Sequence, residues 1–439
     1  MSDSAANPDT SLPARPYFFC GVGGSGMLPL ALILRGRGYE VAGSDRSLDA
    51  GRLGAKFEYL KSRGVDLFPQ DGSGLTSSDQ ILVASAAIED SVPDVARANE
   101  LGCERLGRAE LLARLVNSAK QSVAVGGTSG KSTVTGMIGW ILYATRRDPT
   151  VMNGAVMKNF VSADAMFASS LVGEGDAFVS EVDESDGTIA LYNPSVAVLN
   201  NIALDHKSMD ELRDLFGAFI SRAQSAVINL DNDESRKVYE AHKGESVSTF
   251  SLEDPAADYL ATEIVSAPDG MSCVLVERKT GDRARVCLQT PGRHNLSNGL
   301  AAIAAARACG VSLKDATSAL MNFQGVRRRL EVVGTFRDMT VIDDFGHNPD
   351  KIAATLETLH AFPGRLLVMW QPHGYGPIRH MKDQLIQCFI DNLKAADHLL
   401  MPEPVYYGGT TDRSIGSAAI AEPVAAAGHN ARALPDRAA

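Results

Sequence analysis

The sequence predicts an α/β protein of several domains whose polar chemistry gathers at strand ends. Three observations carry that prediction. The chain has 439 residues, more than one hydrophobic core sustains, so two to four domains are expected. Short apolar runs, among them Tyr17–Cys20, Val123–Val125, Val196–Leu199 and Leu366–Trp370, punctuate it, and glycine-rich turns with helix-compatible segments follow the first two. Polar residues cluster directly after such runs, where open α/β sheets place their ligands.

Composition narrows the class. Apolar content of 45% with 22% charged residues is ordinary for a globular protein. A net charge of −11 argues against a nucleic-acid partner, which would call for a basic face. Positive charge must then be concentrated wherever phosphates bind. The six cysteines include no C-x-x-C pair, which fits reduced thiols and a cytoplasmic location. No apolar run approaches the ~20 residues that span a membrane. Residues 1–15 are polar and read as a loose tail.

Taken in order, Tyr17–Cys20 is a buried strand entering Gly21-Val22-Gly23-Gly24-Ser25-Gly26, a G-x-G-x-x-G match, with an apolar helix from Met27 to about Arg35. A second strand, Glu40 to Gly43, ends near Asp45, about twenty residues after the first glycines, as a dinucleotide fingerprint asks. Such glycines let a backbone approach a pyrophosphate, which NAD and UDP-sugars share, and the pattern does not distinguish them. A third strand, Ile81 to Ala84, delivers Ser85 at its carboxyl end. A helix around Arg108 to Leu115 and a polar link, Asn117 to Gln121, mark the first domain boundary.

The second stretch is Val123-Ala124-Val125-Gly126-Gly127-Thr128-Ser129-Gly130-Lys131-Ser132-Thr133, followed by a helix-compatible segment. A phosphate chain needs this combination. Glycines bare their N–H groups, a helix N-terminus adds partial positive charge, Lys131 reaches the outer phosphates and the Ser132 hydroxyl can ligate Mg²⁺. The strict G-x-x-x-x-G-K-[ST] pattern is missed at one position, Val125. Ala177–Ser180 then runs into Glu181-Val182-Asp183-Glu184-Ser185-Asp186, and Val196–Leu199 runs through Asn200 and Asn201 to Asp205-His206. Carboxylates and a histidine at strand ends beside this turn suggest Mg²⁺ next to a triphosphate.

Residues 244–290 read as a small antiparallel patch around the hairpin turn Lys279-Thr280-Gly281-Asp282. Pro291-Gly292-Arg293-His294-Asn295-Leu296-Ser297-Asn298 opens an Ala-rich helix, with Asn295 and Asn298 three apart on one face. They could bond a base or cap the helix, and spacing alone leaves both open. Gly325-Val326-Arg327-Arg328-Arg329 begins a third region. There the strand Thr340–Ile342 ends in Asp343-Asp344-Phe345-Gly346-His347, and Leu366–Trp370 ends in Gln371-Pro372-His373.

Together these blocks resemble the Mur ligase family, ATP-dependent amide-forming enzymes of peptidoglycan assembly, and most of all its alanine-adding members. The match covers nearly the whole chain and accounts for the missed spacing, because the family uses a shorter G-T-x-G-K-[ST] loop, here Gly127-Thr128-Ser129-Gly130-Lys131-Ser132. The resemblance implies three domains: a Rossmann-like N-terminal domain for the UDP substrate (1–120), a P-loop-type ATP-binding central domain (121–325) and a Rossmann-like C-terminal domain for the amino acid (326–439), the last shorter than is usual in the family. It implies that Gly23, Gly24, Ser25, Gly26, Met27, Asp45 and Ser85 hold the UDP part. ATP would be held by Gly127, Thr128, Ser129, Gly130, Lys131, Ser132 and Thr133, with His294, Asn295 and Asn298 on the adenine side and Arg329 and Asp344 completing the site. Ser132, Glu181 and His206 would ligate Mg²⁺, and Lys131, Glu181, His206, Arg329 and Asp344 would carry the catalysis. The implied reaction joins an amino acid, L-alanine first, to the lactyl carboxylate of UDP-N-acetylmuramate through an acyl phosphate.

Where the alanine-adding members have His-Arg-x-x-Arg after Gln-Pro, this chain has His373-Gly374-Tyr375-Gly376-Pro377, with Arg379 two positions on. His347, His373 and Arg379 are therefore the amino-acid-binding candidates, Arg379 reaching inward if the Tyr375–Pro377 turn swings it there. The alternatives are a relative that takes another amino acid or a preformed peptide, a catalytically silent nucleotide binder, and an NAD-dependent dehydrogenase. The dehydrogenase would leave Lys131, Glu181 and His206 without work.

Overall fold

The computed structural model describes residues 12–438 apart from 87, 186, 205–206 and 406–411. Its contacts divide into two compact units, one of residues up to Glu263 with Cys273–Leu288 and Ser297–Arg327, the other of Ile264–Ser272, Gln289–Leu296 and Arg328 onward.

The first unit opens with β1 (Tyr17–Cys20), α1 (Met27–Gly36), β2 (Val41–Ser44), α2 (Arg46–Asp49), α3 (Gly54–Ser62), β3 (Asp66–Phe68), β4 (Ile81–Ala84), α4 (Pro93–Leu101), β5 (Glu104–Gly107) and α5 (Arg108–Ser118). The strands form one sheet in the order β3-β2-β1-β4-β5, every pair parallel. β1 and β4 are buried throughout, as their unbroken apolar runs require in a sheet covered on both faces. The order turns back on either side of β1, so the crevice for a ligand lies outside the carboxyl ends of β1 and β4, where the Gly21–Gly26 turn and Ser85 stand.

A second sheet follows, most of it in the same unit, with residues 264–272 and 289–296 falling in the other. Its elements are β6 (Gln121–Gly126), α6 (Lys131–Ala144), β7 (Thr150–Met152), β8 (Ser170–Leu171), β9 (Ala177–Glu181), β10 (Val196–Leu199), α7 (Met209–Arg222), β11 (Ser225–Asn229), α8 (Asp233–His242), β12 (Val247–Ser251), β13 (Tyr259–Ala267), β14 (Gly270–Glu277), β15 (Asp282–Leu288), α9 (Arg293–Ala308) and α10 (Leu313–Leu320). The order is β15-β14-β13-β12-β11-β10-β6-β9-β7-β8. The stretch read from sequence as a separate antiparallel patch thus continues this sheet, because β13 pairs in parallel with β12. At the centre, β6 lies between β10 and β9, parallel to both, with Val123, Ala124 and Val125 wholly buried. Phe216 and Phe219 of α7 pack within 3.3 Å of where a Gly126 side chain would begin, which fixes the strand just before its turn.

The second unit contains an antiparallel pair, β16 (Glu331–Phe336) with β17 (Met339–Asp343), then α11 (Pro349–Leu359), β18 (Leu367–Met369), α12 (Tyr375–Asn392), β19 (His398–Pro402), α13 (Ala418–Ala426) and β20 (Asn430–Leu434). β18, β19 and β20 form a parallel sheet. The core of this unit joins Ile352 and Leu356 of α11, Leu385 and Phe389 of α12, Leu399 and Met401 of β19, and Ile420 and Val424 of α13. Asn348 caps α11 with its side chain and Pro349 takes the first helical position, where its missing N–H costs nothing. No helix among the described residues is long and apolar enough to cross a membrane.

Candidate active site

The centre of the site is the turn between β6 and α6. Gly127 adopts φ +130° and Gly130 φ +82°, backbone states that favour glycine. Gly130 has a second reason to be glycine: a Cβ there would run into the Asn200 amide and lie 2.6 Å from Asn298 Oδ1. Two asparagines at the end of β10 lace the turn in place. The Asn201 carboxamide oxygen accepts from Thr128 Oγ1 (3.0 Å) and the Ser129 amide (2.9 Å). Asn200 Nδ2 donates to the Ser129 carbonyl (3.0 Å) and to Asn298 Oδ1 (2.9 Å).

Lys131 opens α6, and its Nζ donates to the Gly127 carbonyl at 2.7 Å and to Glu184 Oε2 at 2.6 Å. Ser132 Oγ donates to Glu181 Oε2 at 2.8 Å, from the carboxyl end of β9. Asn153 holds the Ser132 carbonyl at 2.9 Å, and a Cβ at neighbouring Gly154 would overlap the Glu181 carboxylate. Asp183 is crowded by protein, which opposes its charge. Two bonds from Ser185 and the nearby Lys131 and Arg108 cations outweigh that and hold its carboxyl below the ordinary range. A cation on a glycine turn, a hydroxyl and flanking carboxylates form the set that a nucleotide phosphate chain with a hard cation requires. Ser132 and Glu181 are oxygen donors of the type Mg²⁺ prefers, and Glu181 has room to turn because residue 154 lacks a side chain. His206, the third residue expected at the metal, lies outside the described residues, as does Asp205.

The first glycine turn is equally built. Asp45 Oδ2 accepts the Gly23 amide at 2.9 Å, and its other oxygen caps α2 through the Ser47 amide at 2.8 Å. Both oxygens of the acidic residue in the dinucleotide spacing are therefore engaged by backbone. Gly24, Ser25, Gly26 and Met27 carry the chain into α1, and Ser85 follows β4.

In the second unit, Asp344 accepts from the Leu330 amide (3.0 Å) and Thr355 Oγ1 (2.9 Å). Next to it the Phe345 ring gathers four groups: the Arg328 and Arg329 guanidinium carbons 4.6 and 5.2 Å from its centroid, and the His347 and His373 rings at 5.2 and 6.0 Å. Arg329, His347 and His373 thus meet around one ring. Arg379 stands apart from them. The expected Tyr375–Pro377 turn is instead the first turn of α12, and the Arg379 guanidinium bonds Asp412 through its carbonyl and its carboxylate, each at 2.9 Å. Asn295 Nδ2 donates to the Pro291 carbonyl at 2.7 Å, while His294 is exposed. The sequence reading does not anticipate the partner roles of Glu184, Asn153, Asn200 and Asn201, although Glu184, Asn200 and Asn201 stand in stretches it places at strand ends.

The Mur ligase catalytic-domain model matches residues 16–120, the middle-domain model 125–306 and the glutamate ligase domain model 328–439. The chain belongs to the Mur ligase family. Among its relatives, the UDP-N-acetylmuramate–L-alanine ligase of Dictyoglomus turgidum is 34% identical over 406 residues, covering 91% of this chain and 83% of the relative. That of Agrobacterium fabrum is 34% identical over 436 residues, covering 95% and 88%. The fold of this Mur ligase is shared with the UDP-N-acetylmuramate-alanine ligase of Thermotoga maritima, at TM-score 0.76 and 22% identity over 96% of this chain and 90% of the other. It is shared too with a murein peptide ligase of Psychrobacter arcticus, at TM-score 0.71 and 24% identity over the same shares.

Proposed function

We propose that this Mur ligase joins an amino acid, L-alanine in the first instance, to the lactyl carboxylate of UDP-N-acetylmuramate at the expense of ATP, as a cytoplasmic step of peptidoglycan synthesis. The observation that carries the reading is the Lys131–Ser132 turn set against Glu181 and Glu184, in a chain about one-third identical to named alanine ligases across most of its length. Residues 1–120 would serve the UDP substrate, 121–325 ATP and 326–439 the amino acid.

The chemistry follows from charge. A carboxylate is a poor electrophile. Its oxygen attacks the γ-phosphorus of ATP, the bond to ADP breaks, and the resulting acyl phosphate carries a good leaving group. The amine nitrogen then attacks the acyl carbon, sheds a proton and expels inorganic phosphate, which keeps one oxygen of the original carboxylate. Lys131 would leave Glu184 for the β- and γ-phosphates and offset the charge that spreads over the transferring group. The backbone amides of Gly127 to Gly130 would cradle the chain, with Thr128, Ser129 and Thr133 beside them, and Asn298 and Asn295 with His294 on the base side. Mg²⁺, when bound, would be held by Ser132 and Glu181, with His206 as a further ligand, and would neutralise phosphate oxygens. Arg329 and Asp344 are proposed as further nucleotide-binding groups, and His347, His373 and Arg379 as amino-acid-binding groups.

The test is amine-dependent phosphate release from ATP and UDP-N-acetylmuramate across a panel of amino acids and short peptides. Release with L-alanine supports the reading. Release only with a peptide or another amino acid moves the chain to a different specificity within the family. Hydride transfer to NAD without phosphate release would refute it.

A further inference from the structure

The segment that leaves β10 is held from behind by Asn232, which stands between β11 and α8. Its side chain grips a single residue, Ile202, by both main-chain groups. The Ile202 amide donates to Asn232 Oδ1 and Asn232 Nδ2 donates to the Ile202 carbonyl, each at 3.1 Å. The same Oδ1 caps α8 by accepting the Ser235 amide at 2.9 Å. Beside it, Asn229 Nδ2 donates to the Asn200 carbonyl at 2.8 Å. Among the described residues the Asn232 side chain makes no hydrogen bond to the phosphate turn.

The two neighbours of Ile202 do reach that turn. Asn201 holds Thr128 and Ser129 through its side chain, its Nδ2 donating to the Ser129 carbonyl at 3.0 Å, and its own carbonyl accepts the Thr128 amide at 3.1 Å. On the other side the Ala203 amide donates to Thr128 Oγ1 at 3.0 Å. The fit is close: a Cβ at Gly127 would come 3.0 Å from the Asn201 carbonyl oxygen and 3.1 Å from its nitrogen. A small shift of the β10 exit is therefore felt in the turn.

That exit needs an outside hold. β10 ends at Leu199, so at Ile202 the ladder no longer fixes the chain. Ile202 is buried, and its main-chain groups require partners that the sheet does not supply there. Asn200 also keeps its Oδ1 buried without a partner among the described residues, a cost that movement of the exit would relieve. A carboxamide bonded to the N–H and the C=O of one residue opposes both its translation and its rotation.

We propose that Asn232 is a positioning residue for phosphoryl transfer: by clamping Ile202 it sets Asn201 and Ala203, and through them the Thr128–Ser129 part of the phosphate turn. The inference rests on the reading that this turn holds ATP. Asn232 acts through the main chain of the β10 exit and touches neither the nucleotide nor the metal. Losing the clamp leaves the charge of Lys131 in place but lets the turn amides drift from the phosphate oxygens, and misplacement of that kind is costly in rate.

The experiment compares steady-state phosphate release by the full-length wild type, Asn232→Ala and Asn232→Ser, with ATP and UDP-N-acetylmuramate varied separately. Serine keeps a good cap for α8, but its hydroxyl is too short to span both main-chain groups of Ile202. Both variants are expected to lose about tenfold in kcat/KM for ATP and to keep the KM for UDP-N-acetylmuramate, while Asn232→Ser unfolds thermally close to wild type. If wild type turns over and both variants stay within twofold of it, the inference is wrong and the ligase reading stands. A loss in Asn232→Ala that Asn232→Ser restores also overturns it, because capping α8 is then the whole role. Equal changes in both substrates' KM values overturn it as well, since they mark a damaged fold. If wild type releases no phosphate from ATP with any amine, the ligase reading falls and the inference with it.

Discussion

Lys131 and Glu184 form an ion pair of 2.6 Å across the phosphate turn, with the Glu184 side chain only 7% exposed. The lysine is thus drawn back toward its own loop, with the Gly127 carbonyl as its second acceptor at 2.7 Å. On the proposed reading, ATP competes with a buried carboxylate for the same ammonium. Lys131→Ala should leave the fold intact and lower kcat/KM for ATP by about 10²–10³-fold, the usual cost of one positioned charge in a transition state. Glu184→Gln should lower the KM for ATP, because the competitor loses its charge. Steady-state kinetics on both variants checks the pair. Near wild-type activity in Lys131→Ala would remove the nucleotide assignment.

The proposed metal site can be probed at Glu181 itself and at its neighbour Gly154. Glu181→Gln keeps size and removes the charge a hard cation needs, so the Mg²⁺ concentration for half-maximal rate should rise severalfold. Gly154→Ala should shift it in the same direction, since the new methyl overlaps the place of the Glu181 carboxylate. A Mg²⁺ titration of phosphate release in which neither variant differs from wild type would exclude Glu181 as a ligand.

How much of this the sequence discloses depends on how local the cause is. Tyr17–Cys20, Ile81–Ala84 and Val196–Leu199 are read correctly as strands because a buried parallel strand is one unbroken apolar run. β3, three residues with no fully buried one, leaves no such run and escapes notice. The β13–β15 stretch reads as isolated because its hairpin is local, whereas the pairing of β13 with β12 that attaches it to the large sheet is set by tertiary packing. Gly374-Tyr375-Gly376-Pro377 reads as a turn, yet α12 begins at Tyr375, since a proline in the first helical turn loses no hydrogen bond. The glycine turns and Lys131 are legible from spacing.

Arg379 offers the sharpest question about the amine. Its pairing with Asp412, at 41% and 56% side-chain exposure, is a surface pair of the sort that contributes little to stability, so the guanidinium can be released at small cost. Arg379→Ala should raise the KM for the amine several-fold and leave the KM for ATP unchanged. An unchanged amine KM would place the carboxylate anchor elsewhere.

Acid stability of the second unit should depend on Asp397. Burial opposes its charge, but the Leu366 and Lys394 amides and His360 Nε2, at 2.8, 2.7 and 2.8 Å, more than offset that and hold its carboxyl below the ordinary 3.8. A lowered carboxyl pKa gives stability that is present above the unfolded value and lost as pH falls through the folded one. The loss should therefore begin below about pH 4. Asp397→Asn should destabilise the unit at pH 7 and flatten the acid limb of its unfolding curve, read by denaturant titration at several pH values. An acid limb as steep as wild type would assign the acid sensitivity to other carboxylates.

The central claim is that this chain activates the lactyl carboxylate by phosphorylation before an amine displaces the phosphate. Turnover of UDP-N-acetylmuramate labelled with ¹⁸O in that carboxylate, with ATP, Mg²⁺ and L-alanine, tests it most directly, by mass analysis of the products. The account predicts one ¹⁸O in each inorganic phosphate released and one retained in the amide. Phosphate released without label, at the same rate with and without the amine, would contradict it.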